Sequence, residues 1–148
     1  MRVPDRPNPT LHDGREGVKA NEELYAVWVA SNVTAIERLG MSDHGPVHVK
    51  IVMNLAVRLL RLLMDGGVEP SVTKNYGLRS EDAEVVVAFA ALLHDLGMSI
   101  HRADHESYSL FLAEGVLKEV LPSLYDPRTA AILRSEVLHA IIGHRSDG

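Results

Sequence analysis

The stretch from Ser80 to Gly97, SEDAEVVVAFAALLHDLG, decides how the rest of the chain is read, because its valines invite a strand and its length a helix. Glu81 and Asp82 follow a serine cap, as the positive end of a helix dipole favours, and Gly97 stands where helices commonly stop. No other segment offers a partner strand, so the stretch predicts a helix that carries His94 and Asp95 at its end. Downstream, Asp104 predicts the cap of a helix running to about Val120, Pro122 ends it, and Pro127 opens another to about Ile142. Upstream, Leu24, Val27, Trp28, Ser31, Ala35 and Leu39 recur at helical spacing between Asn21 and Gly40. Ser42 and Asp43 offer caps for a longer helix with Pro46 in its first turn, ended by Gly66-Gly67. Its stripe Val47, Ile51, Leu55, Leu59 and Leu62 is expected to face the core. Residues 68–79 read as a loop with one helical turn, and residues 1–20, with three prolines and several charges, as a flexible leader. The expected fold is all-α, a bundle of about five main helices over residues 21–148.

The 148 residues fit one domain with a substantial core, and 46% hydrophobic with 24% charged residues is a globular balance. The most apolar run, Val85 to Leu93, is about half of the roughly 20 residues that span a bilayer. A net charge of −5 argues against an extended nucleic-acid surface or an anionic membrane as partner. The absence of cysteine excludes thiolate metal sites, iron–sulfur clusters and cysteine nucleophiles, and fits a cytoplasmic location.

Against no cysteines stand eight histidines. His44 and His48 lie one helical turn apart, and His48 shares the stripe expected to face inward. His94 continues the stripe of Val87, Ala90 and Ala91. His144 shares a face with Leu133, Val137, Ala140 and Ile141, whereas His139 lies about 140° around the helix from it. Taken singly, each has the plain reading of a half-buried histidine bonded to backbone. His-Asp doublets are weak signals, and the chain has two, His12-Asp13 in the leader and His94-Asp95. What raises the second is its company of inward-facing imidazoles at the ends of other helices. Imidazole with carboxylate suits Mn, Fe, Ni, Co or Zn better than Mg, which prefers oxygen alone.

Three segments together, SDHGPVHVKIV (42–52), LLHDLGMSIHRADHESYS (92–109) and EVLHAIIGHRSDG (136–148), resemble the HD-domain superfamily of metal-dependent phosphohydrolases. The resemblance implies an α-helical core with one or two divalent metal ions per chain. It matches His48 to the superfamily's first histidine, His94 with Asp95 to its signature pair, and His105 and His144 to the added histidines of dinuclear members. Asp95 is the implied bridge. The superfamily's last aspartate has no clear counterpart: Asp147 is next to last, and Glu136, three before His139, reads more plainly as a solvated helix residue. The chain is therefore expected to be a fragment, or its site to be incomplete.

The implied function is hydrolysis of a phosphate ester, a nucleotide or phosphodiester, by metal-activated water. Asp95, Arg102 and His101 are the expected catalytic residues, the last two as loop contacts for the substrate phosphate. The alternative is a non-catalytic metal- or ligand-binding regulatory module; a third reading, oxygen activation at an HD-type site, has no residue of its own. A small phosphorylated substrate and a second copy of the chain are the expected partners, with no membrane.

Overall fold

The computed structural model describes residues 8–145, and every regular element among them is helical. Seven α-helices follow in order: α1 (Pro9–Lys19), α2 (Glu22–Asn32), α3 (Pro46–Asp65), α4 (Ser71–Tyr76), α5 (Ser80–Leu93), α6 (His105–Val120) and α7 (Pro127–Ile142). α2 continues as a π-helical segment, Val33–Arg38, and 3-10 turns occupy Leu96–Ser99 and Leu121–Ser123. None of these helices is long and apolar enough to cross a membrane.

The axis of the bundle is α5. Ten of its 14 residues are buried, and α1, α3, α4 and α7 all pack against it. Its apolar composition is that of a helix surrounded on every side, which is why periodicity alone left it open to a strand reading. Val85, Phe89 and Leu93 meet Val49, Met53 and Val57 from α3 and Leu133, Val137 and Ile141 from α7 in one hydrophobic core. α6 lies against α7 and the Leu96–Ser99 turn, and α2 packs on the same turn.

Local chemistry sets the helix ends. The Asn21 side chain accepts the Leu24 N–H at 2.9 Å, and Asp126 accepts that of Thr129 at 3.3 Å. The cap of α3 differs from expectation: Gly45 occupies the cap position, and the Asp43 carboxylate accepts the Gly45 N–H at 2.9 Å. Asp104 stands at the cap of α6 in a left-handed conformation, φ 59°, and makes no capping bond.

Two expectations are corrected. The leader is not loose over residues 9–19, which form α1 with Leu11 and Val18 buried. The side chain of Asn8 accepts the Leu11 N–H at 3.1 Å and donates to Glu84 Oε2 at 3.1 Å and to the Glu81 carbonyl at 3.0 Å. Glu84 also pairs with Arg61 of α3, so one buried carboxylate ties α1, α3 and α5 together. At Gly14 any Cβ would come within 2.8 Å of Phe89, so the missing side chain lets α1 approach α5. The second correction concerns α3. Its expected core stripe faces solvent, with Leu55 and Leu59 each 58% and Leu62 67% exposed. Val49, Met53 and Val57 are buried instead. Apolar residues cover most of the circumference of α3, and the Arg61–Glu84 pair, which draws a polar edge inward, selects the row that packs on α5.

Candidate metal centre

The end of α5, the start of α6, the end of α7 and the first turn of α3 converge on Asp95, which is 6% exposed. Asp95 Oδ2 lies 3.0 Å from His94 Nε2 and 3.4 Å from His48 Nε2. Oδ1 lies 3.3 Å from His105 Nε2 and 3.9 Å from His144 Nε2. Each carboxylate oxygen therefore faces its own pair of imidazoles, and His48, His94, Asp95 and Asp95, His105, His144 form two compact ligand groups that share the aspartate.

Backbone carbonyls orient three of the four rings. His94 Nδ1 is 2.8 Å from the Ala91 carbonyl, His105 Nδ1 2.9 Å from that of Arg102, and His144 Nδ1 2.6 Å from that of Ile141. A carbonyl only accepts, so each Nδ1 carries the proton, and in the neutral ring the lone pair sits on Nε2. The lone pairs of these three rings point at an acceptor carboxylate, an arrangement that needs a cation between them. Without metal, protons supply that charge. Burial lowers His94, but its hydrogen bond and attraction to Asp95 outweigh this and raise it; the hydrogen bond to Asp95 raises His105 despite burial. Burial alone would raise the Asp95 carboxyl, yet hydrogen bonds from His105 and His94 hold it well below the usual carboxylate range. His48 is lowered, burial outweighing Asp95. Nδ1–H groups fixed on carbonyls, with Nε2 free to bind, are the outer-shell arrangement of histidine metal ligands. The residues fit one or two transition-metal ions.

The close approach of the turn to α6 depends on Gly97 and Ser109. The fully buried Ser109 hydroxyl accepts the Gly97 N–H at 2.8 Å and lies 2.8 Å from the carbonyls of both His94 and His105. A Cβ on Gly97 would sit 2.0 Å from the His105 carbonyl oxygen. This glycine lets the segment that carries His94 and Asp95 touch the segment that carries His105.

Five residues expected as ligands, His48, His94, Asp95, His105 and His144, thus meet. The stripe that led His48 inward is exposed, yet its ring reaches Asp95 from the edge of α3. The other candidates stand outside the two groups. His44 stacks 5.0 Å from His48, with Nδ1 on the Ser42 carbonyl at 2.7 Å. His101 turns back on its own loop, accepting the Ala103 N–H at 3.1 Å. Arg102 is exposed, and its contribution to the cluster is the carbonyl under His105. His139 is exposed, and Glu136 accepts from Tyr76. Asp147 lies outside the described residues. Sequence reasoning missed the buried Glu106, which lies 3.7 Å from His105 and 2.8 Å from Arg145, and so ties the residue after one ligand to the residue after another. Its only sequence signal was an acid in the first turn of a helix.

The chain is similar to Uncharacterized protein MJ1020 of Methanocaldococcus jannaschii, 39% identical over 124 residues that make up 84% of this chain and 48% of the relative. The chain spans about half the length of that relative. No family model and no solved structure matches.

Proposed function

We propose that this chain is an HD-type metal-dependent phosphohydrolase that acts on a small phosphate ester, a nucleotide or phosphodiester. The observation that carries the reading is the shared carboxylate of Asp95, with each oxygen facing two imidazoles. His48, His94 and Asp95 would hold one ion, and Asp95, His105 and His144 a second; Mn, Fe, Ni, Co and Zn suit these donors better than Mg. When bound, such ions supply an acidified water and neutralise charge on the phosphoryl oxygens. The backbone carbonyls of Ala91, Arg102 and Ile141 keep three imidazoles aimed, so that little reorganisation accompanies reaction. Arg102, exposed beside the cluster in sequence, offers its planar guanidinium to the substrate phosphate. His101, exposed and bonded to its own loop through Nδ1, offers Nε2 as a second contact for the phosphate.

A non-catalytic metal-binding module is the second reading. It is favoured by the scarcity of carboxylate: Asp95 is the sole acid in the two ligand groups among the described residues, and Glu106 is turned to Arg145. Metal analysis of the purified chain, followed by assay of a generic phosphodiester and a nucleotide panel with Mn, Ni or Co, separates the two. Stoichiometric metal with hydrolysis supports the enzyme, and metal without turnover supports the module. A metal content unchanged by His94→Ala with Asp95→Ala rejects both. Iron-specific, oxygen-dependent chemistry would redirect the assignment to oxygen activation.

The proposed macromolecular partner is a second copy of the chain. The exposed row of α3, Val47, Ile51, Leu55, Leu59 and Leu62, presents on the order of 500 Å² of apolar surface, near the upper end of what a monomer leaves uncovered. Doubled across a two-fold axis and extended by a polar rim, that reaches the roughly 1,200 Å² at which stable interfaces begin.

A further inference from the structure

The four imidazoles around Asp95 are not held alike. His48 stands inside α3, His94 between α5 and the Leu96–Ser99 turn, and His105 at the start of α6. His144 lies beyond Ile142, the last residue of α7, and after Gly143, where a chain that has left its helical ladder is least constrained. Its amide reaches the Ile141 carbonyl at 3.4 Å, and its Nε2, 3.9 Å from Asp95 Oδ1, is the farthest of the four from the carboxylate. The next residue, Arg145, draws this segment back onto the bundle: its Nη1 lies 2.8 Å from Oε1 of Glu106 on α6. The Glu106 side chain is buried and that of Arg145 half exposed, and a buried carboxylate favours keeping its cation close. The other carboxylate oxygen, Oε2, lies 3.7 Å from His105 Nδ1. The ion pair therefore joins the residues that directly follow His105 and His144, whose rings are 5.5 Å apart and belong to one ligand group.

We propose that the Glu106–Arg145 ion pair is a clamp that positions His144 against His105 and so sets the affinity of the second ligand group, Asp95, His105 and His144, while the group of His48, His94 and Asp95 holds its ion without it. Neither member is a ligand; both are positioning residues that act through the histidines beside them. Partners of this kind typically account for about ten- to a hundredfold in metal affinity. The inference rests on the metal-centre reading above, since it needs an ion at the second group.

The full chain is titrated with Co(II), and bound metal is followed by equilibrium dialysis and visible absorption. The wild type should take up two equivalents, and His144→Ala, which removes a ligand of the second group alone, should lose one of them and so identify it. Arg145→Ala, a truncation on the half-exposed side of the pair, should weaken that same equivalent at least about tenfold and leave the other at its wild-type affinity. Arg145→Lys, which keeps the charge, should recover part of the loss. Glu106→Gln should weaken the same equivalent, and the double variant Glu106→Gln with Arg145→Ala should be no weaker than the worse single one, because the two residues act as a pair. An unchanged second equivalent in Arg145→Ala, equal weakening of both equivalents, additive losses in the double variant, or a wild type that takes up one equivalent would each overturn the clamp and leave the metal centre standing. No uptake by the wild type would reject the metal centre and the clamp with it.

Discussion

Gly97 and Ser109 show what single residues contribute, since neither is a ligand yet both set where ligands stand. Gly97→Ala places a methyl group within 2.0 Å of the His105 carbonyl oxygen. The turn must then separate from α6, at a cost of about 3 kcal/mol, and metal affinity should fall with stability; denaturant melts and metal titration of the variant measure both. Ser109→Ala leaves the buried Gly97 N–H without its acceptor, a loss of about 1–3 kcal/mol. Protons and metal compete for the same nitrogens. Metal loading should fall as pH drops through the raised pKa values of His94 and His105, where those rings take up their protons, and equilibrium dialysis over a descending pH series tests it. The sign reverses for the metal-free protein: the raised pKa values of His94 and His105 stabilise the fold below their unfolded value, and that gain is lost as pH rises through the folded values. The candidate ligands were legible in part: helical spacing put His48, His94 and His144 on inward faces beside Asp95, whereas His105 entered only through the family resemblance. The roles of Gly97, Ser109 and Glu106 were not legible, since each depends on how α6 packs against the Leu96–Ser99 turn or meets the residues after α7.

Among the elements, α1 and α3 depart most from their sequence reading. α1 is short and polar, with a proline start, and read as a leader; its attachment comes from Leu11, Val18 and the buried Asn8–Glu84 bond. Leu11→Ala should cost about 2–5 kcal/mol in urea denaturation, whereas a detached leader would show no change. α3 carries two apolar rows, and helical period identifies both without ranking them. Leu59→Glu on the exposed row should shift monomer stability by no more than about 0.5 kcal/mol while breaking self-association in analytical ultracentrifugation. A loss of several kcal/mol would mean that the row is part of the core. By contrast α6 and α7 were placed within a residue or two, because proline and aspartate mark their ends locally, and α5 starts at Ser80 as read but ends at Leu93, short of Gly97, where the chain turns into the 3-10 segment Leu96–Ser99.

For the molecule as a whole, four elements supply the cluster, so a bound ion links parts of the chain that are far apart in sequence. Metal at 100 times its dissociation constant should add about 2.7 kcal/mol, a rise of roughly 5–10 °C in melting temperature that a chelator reverses. Asp95→Ala should abolish that rise, because both ligand groups share this residue. The all-α class and the positions of five main helices follow from sequence, since helical period and caps are local properties, and the candidate ligands rest on that period together with the family resemblance. Which row of α3 is buried, that residues 9–19 join the bundle and that each Asp95 oxygen faces its own histidine pair were decided only by tertiary structure. Those outcomes depend on the buried Glu84 and Ser109 and the half-buried Arg61, and on the distances at which the packed helices hold them.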